Sequence, residues 1–132
     1  FPDKTFDVVV SFSTIDHLET AADRQRAICE MARVARPGGA VIVTVPNRLD
    51  RGYYQWSQRA QRTGEAFFAY EHCFVPWELR RLLRRAGLIP GTFASTSVSV
   101  HLRPRGMTGR VVRLAAQYFG SRIGYLARRP LG

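Results

Sequence analysis

The sequence predicts an α/β fold built on a parallel sheet, on three observations. Phe6-Asp-Val-Val-Val-Ser-Phe12 and Ala40-Val-Ile-Val-Thr-Val-Pro46 are apolar runs without polar alternation. That pattern belongs to strands buried on both faces, as in parallel sheets. Between the runs, Ile28, Met31, Ala32 and Ala35 recur at helical spacing. Pro37-Gly38-Gly39 then supplies a helix stop and a turn. Together these segments make a strand–helix–strand unit, whose crossover is expected to be right-handed.

The later elements follow in order. Leu49–Arg62 reads as a helix carrying Tyr53, Tyr54 and Trp56 and ending near Gly64. Pro76–Ala86 reads as another, with Pro76 at its first position, Glu78 in its first turn and Gly87 just past its end. Strands are expected around Gly91–Leu102 and Ile123–Arg128. An amphipathic helix through Val111, Leu114, Ala115 and Tyr118 is expected between them. The predicted sheet order is strand one, strand two, last strand, third strand, with the last antiparallel to its neighbours. Phe6–Phe12 then has no partner on one side and exposes a flat apolar edge, which invites association.

Charge divides the chain. All ten acids lie at or before Glu78, against nine basic residues, and eleven arginines with no acid follow from Leu79 onward. Such an excess attracts anions such as a phosphorylated substrate, nucleic acid or acidic lipid. It equally suits a solvated helix face, because Arg80, Arg81, Arg84 and Arg85 fall opposite Leu79, Leu82 and Leu83. Few aromatics interleave with these arginines, so nucleic acid is not an expected partner. No run approaches the roughly 20 apolar residues of a membrane span. Cys29 and Cys73 form no CxxC pair, which suits reduced thiols and a cytoplasmic setting. His17, His72 and His101 have no His or Cys neighbour at ligand spacing, so no metal site is expected.

Three blocks also match a family. Phe1-Pro-Asp-Lys-Thr-Phe-Asp-Val-Val-Val-Ser11 and Glu30-Met-Ala-Arg-Val-Ala-Arg-Pro-Gly-Gly-Ala-Val-Ile-Val-Thr-Val-Pro-Asn47 resemble the second half of a class I S-adenosylmethionine-dependent methyltransferase. His72-Cys-Phe-Val-Pro-Trp-Glu-Leu-Arg-Arg-Leu-Leu-Arg-Arg-Ala-Gly-Leu88 resembles that family's late helix and the turn after it. The resemblance implies a partial Rossmann-like sheet, strands four to seven of the family, with flanking helices. It divides the chain into a strand–helix–strand core (1–47), a substrate-side insertion (48–75), and the late helix with terminal antiparallel strands (76–132). The family's Gly-x-Gly-x-Gly cofactor turn, where glycine lets backbone approach the ligand closely, is not in the sequence; Gly38-Gly39 follows a helix and does not precede one. The chain therefore reads as a C-terminal fragment, inactive alone, whose partner is the upstream cofactor-binding half of the same domain.

Ligands of open α/β sheets bind beyond the carboxyl ends of the strands. The resemblance places Ser11, with Phe12 and Ser13, at the methionine end of S-adenosylmethionine. Ser11 equally reads as a strand end, and Phe12 as core. His17 matches a histidine frequent in the family after this strand; it is a candidate base or a loop brace. Asp16 is a candidate acceptor-activating carboxylate, or a cap on a helical turn at Leu18–Thr20. Asn47, Tyr53, Tyr54, Trp56 and His72 are candidate contacts to the acceptor, expected to be a small molecule. Phe67, Phe68, Tyr70 and Phe74 extend this aromatic stretch, which serves either a planar or apolar substrate or packing of the lid. Asn47-Arg48 also suits a plain turn. Two other functions fit the same sequence: a non-enzymatic basic module for an anionic partner, and a dinucleotide-binding sheet.

Overall fold

The structure is a computed structural model that describes residues 1–98, 118 and 120–131. The elements are β1 (Phe6–Phe12), α1 (Ala21–Val34), β2 (Ala35–Pro46), α2 (Arg51–Thr63), α3 (Pro76–Arg85), β3 (Ile89–Val98) and β4 (Gly120–Arg128). Among the described residues they form one four-stranded sheet in the order β1-β2-β4-β3. β1 and β2 are parallel, with Val9 opposite Val41 and Ser11 opposite Val43. β4 runs antiparallel to β2 and β3. Strand order and directions are those the sequence predicts. The helix expected through Val111, Leu114 and Ala115, and the far end of the strand expected to reach Leu102, lie outside the described residues; Tyr118 sits in a turn.

Each helix has a local cause. The Thr20 side chain accepts from the Asp23 N–H and starts α1. Asp50 does the same for α2 through the Tyr53 N–H, and α2 closes on Gly64 at φ +73°. Pro76 opens α3 where no N–H is needed.

α1 stops earlier than the sequence suggests. It ends at Val34, and Ala35 is already extended. A residue preceding proline resists the helical region, which excludes Arg36 from the helix. Pro37-Gly38-Gly39 instead forms an irregularity inside β2, where the register jumps from Phe6 opposite Ala35 to Val8 opposite Ala40. Gly38 takes φ +75° there, and a Cβ on Gly39 would lie 2.8 Å from the Arg36 carbonyl oxygen and 3.1 Å from that of Asp7.

The two faces of the sheet differ. Ile28 and Ala32 of α1, with Leu79, Leu82 and Leu83 of α3, pack on Val41, Val43, Val45, Ile123, Tyr125 and Ala127. Gln25 of α1 donates to the Leu82 carbonyl at 3.2 Å and joins the two helices. The opposite face of β1 is open: Val8 is 53%, Val10 52% and Phe12 62% exposed. The expectation that both strands are buried on two faces therefore fails for β1, because α1 and α3 share one side of the sheet. The flat apolar edge is present, and a bare apolar face adjoins it.

Candidate functional site

The site lies where β1 and β2 end. Ser11 is buried, and its Oγ has no hydrogen-bond partner among the described residues. Phe12 is exposed beside it. Ser13 takes φ +44° and donates its N–H to the Thr44 carbonyl at 2.9 Å, which turns the chain across the end of β2.

One turn of 3₁₀ helix follows, Ile15–His17. Asp16 lies within it and caps nothing at Leu18–Thr20; the cap ahead of α1 is Thr20. The Asp16 side chain is fully buried, and neither carboxylate oxygen makes a hydrogen bond among the described residues. Burial pushes its carboxyl above 3.8. His17 Nε2 stands 3.5 Å from Asp16 Oδ2. The Tyr70 carbonyl lies 2.8 Å from His17 Nδ1 and can only accept, so Nδ1 carries a proton. Nε2 is then the ring nitrogen left with a free lone pair, and Asp16 is the group that faces it. The Phe68 ring closes over the imidazole at 3.9 Å.

Around this pair Tyr53, Ser57, Gln61 and Glu71 form a polar wall. Glu71 accepts from the Tyr53 hydroxyl (2.8 Å) and from Ser57 Oγ (2.7 Å). Its backbone exchanges two 3.2 Å bonds with the Gln61 side chain. Burial, then the bond to Glu71, pushes the Tyr53 hydroxyl up, which keeps it a donor. Arg122, at the start of β4, lies 3.7 Å from Glu71 Oε1 and 5.1 Å from the Tyr53 ring centroid. Trp56, Phe67 and Phe68 join Tyr53, Glu71 and Arg122 around a cleft of about 190 Å³. Buried Arg24 braces the loop before α1 by donating to the Leu18 and Glu19 carbonyls at 2.6 and 3.0 Å. Burial also pushes the Cys73 thiol up to about 11, so it stays a neutral thiol.

The structure brings Asp16 and His17 together and sets Tyr53 and Trp56 at the cleft. Tyr54 lies under the Arg48 guanidinium, 5.2 Å away, and lines neighbouring clefts. His72 Nε2 meets Glu78 Oε1 at 2.9 Å and braces the start of α3. Asn47 is fully buried; its amide donates to the Tyr118 and Gly120 carbonyls at 2.7 Å each, and its oxygen accepts from the Leu49 N–H. Glu71, Ser57, Gln61, Arg24 and Arg122 escape the sequence reading. Their only signal is a lone acid inside the aromatic stretch and a single arginine opening the last strand.

Residues 1–43, from the chain start through most of β2, match the family described as a methyltransferase domain. A probable S-adenosylmethionine-dependent methyltransferase of Mycolicibacterium smegmatis is 46% identical over 48 residues, 36% of this chain and 18% of that protein. Over these residues the chain is similar to S-adenosylmethionine-dependent methyltransferases. A probable tRNA methyltransferase 9B of Mus musculus is 34% identical over 77 residues, 58% of this chain and 14% of that protein. A solved S-adenosylmethionine-dependent methyltransferase from Methanosarcina mazei superposes with a TM-score of 0.67 at 21% identity, covering the whole of this chain and 63% of that one. The chain thus spans less than a fifth of these two curated relatives, and the fold likeness reaches its full length. In methyltransferase terms, the Asp16–His17 pair and the cleft occupy the carboxyl end of a Rossmann-like sheet, where such sheets bind ligands.

Proposed function

We propose that the protein transfers a methyl group from S-adenosylmethionine to a small-molecule acceptor, and that these residues build the acceptor side of its site. The observation that carries this reading is the buried Asp16 carboxylate, without a hydrogen bond among the described residues, facing His17 Nε2 at the end of β1. An unsatisfied buried carboxylate is costly unless it serves a partner or a reaction. When bound, the cofactor supplies an electrophilic methyl on a sulfonium. Ser11, Phe12 and Ser13 fit its methionine end, because Ser11 Oγ is buried and still has hydrogen-bonding capacity to offer. The glycine-rich turn for the remainder would come from an upstream half of the domain.

The side chains present then have separate tasks. Nδ1 of His17 is held by Tyr70, so Nε2 takes the proton that the acceptor gives up. Asp16 stabilises the imidazolium that results. Tyr53, Trp56 and Phe68 fix a planar or apolar acceptor, and holding it in the cleft supplies orientation, a large part of any methyl-transfer rate. A cytoplasmic setting suits the two free cysteines.

A second reading takes RNA as the acceptor, and the mouse relative favours it. The test supplies the full-length protein with methyl-labelled S-adenosylmethionine and a cell extract separated into small molecules and RNA. Label in the small-molecule fraction, lost by about 10²-fold in His17→Gln, supports the main reading. Label in RNA overturns it.

A further inference from the structure

The outward side of α3 lies away from the acceptor cleft and has its own composition. At 3.6 residues per turn, each residue advances about 100° around a helix. With Trp77 at the origin, Arg80, Arg81, Arg84 and Arg85 fall within roughly 80° on either side of it. Leu79, Leu82 and Leu83 fall opposite and are buried against the sheet. All four arginines are exposed, and Trp77 is 63% exposed at the centre of the arc. No salt bridge among the described residues engages any of the four. Glu78, the only acid on α3, turns to His72, and no acid follows it in the sequence. The basic side of the helix is therefore not neutralised locally, and a large flat indole stands in the middle of it.

We propose that this face binds single-stranded nucleic acid, with a base stacked on Trp77 and the backbone phosphates on Arg80, Arg81, Arg84 and Arg85. In sequence Trp77 stands ahead of Arg80, Arg81, Arg84 and Arg85 and not among these arginines. The helix gathers the four of them around one tryptophan. Stacking on an aromatic within a cationic track is how proteins hold single strands without reading sequence. An acidic membrane fits less well. A helix lying in a membrane interface sinks its apolar side into the lipid, whereas α3 spends its leucines on the protein core. The inference does not rest on the acceptor reading, since α3 stands on the helix-covered face of the sheet and not at the cleft.

The test is fluorescence anisotropy of a labelled oligouridylate against the full-length protein at about 50 and about 200 mM salt. Binding is expected to weaken about tenfold in Trp77→Ala, with loss of tryptophan quenching. In the Arg81→Gln/Arg84→Gln double variant it is expected to weaken, and the log–log salt slope to fall by about 1.4. Arg26→Gln, an exposed arginine on α1 paired with Asp23, should leave binding unchanged. Thermal melts followed by circular dichroism check that each variant folds, as all substituted positions are on the surface. No binding by the parent protein would overturn the proposal. So would equal affinity in Trp77→Ala, or binding to anionic vesicles without binding to the oligonucleotide.

Discussion

The two faces of the sheet carry the same kinds of residue and meet different surroundings. On one, Val41, Val43 and Val45 lie beneath α1 and α3 with no exposure. On the other, Val8, Val10 and Phe12 stand at least half exposed. Neither strand alternates in sequence, so both were written for burial on two sides. The covered face supplies the core that fixes the strand ends, and with them the position of Asp16 and His17. The bare face suggests a second layer, which is what the proposed upstream half would provide.

The sharpest way to break that comparison sets one phenylalanine from each region side by side. Phe74 is fully buried in the covered core, and Phe74→Ala should cost about 3–5 kcal/mol in urea unfolding. Phe12→Ala should change stability by about 0.5 kcal/mol or less in the isolated chain. Equal losses would mean that the face of β1 is covered in solution.

Gly124 sharpens the comparison from within the strand. A Cβ there would lie 2.9 Å from Thr44 Cγ2 and from the Val43 carbonyl oxygen. Gly124→Ala should therefore cost about 1–3 kcal/mol, measured the same way, even though its partner Thr44 sits on the less covered face.

Acid titration separates the two carboxylates. Asp16 has its carboxyl raised above 3.8 by burial. Above that pH the unfolded chain releases the proton while the native chain keeps it, so stability falls as pH climbs towards the folded value. Asp16→Asn should remove this fall and gain on the parent at pH values above the unfolded carboxyl's own range. Glu78 behaves oppositely. Burial pushes it up, but the hydrogen bond and charge of His72 outweigh that and hold its carboxyl below 4.5. Its contribution is present above 4.5 and disappears as pH falls through the lower folded value. Unfolding series across pH for Asp16→Asn and Glu78→Gln should show slopes of opposite sign.

The smallest expected effect is at the wall of the cleft. Tyr53→Phe removes one hydrogen bond to Glu71 and should cost about 1 kcal/mol by thermal unfolding.

Much of the fold was legible because it rests on local signals. The apolar runs mark β1 and β2, Pro76 and Gly87 bracket α3, and Gly64 ends α2. The end of α1 was misplaced because Pro37-Gly38-Gly39 looks like a terminator when read alone. The helix had in fact yielded three residues earlier, where Arg36 precedes proline. Burial of β1 was overestimated because a non-alternating run reports what a strand is built to bury, not what lies over it in one chain. At the site, Asp16 and His17 were visible as neighbours in sequence. The Tyr53–Ser57–Gln61–Glu71–Arg122 wall was not, since it gathers side chains from α2, the 70–72 segment and β4 that share no spacing. Asn47 illustrates the reverse: a polar residue at a strand end suggests a ligand contact, and the fold spends its amide on the Tyr118 and Gly120 carbonyls.

The most direct test of the central claim, that these residues form the acceptor side of a methyltransferase site whose cofactor cradle lies upstream, is calorimetric titration with S-adenosylhomocysteine. It would be run on the 132-residue chain and on the same chain extended upstream. The account predicts no binding heat for the first and saturable binding for the second. Saturable binding by the 132 residues alone would contradict it, because their own strand ends would then suffice to hold the cofactor.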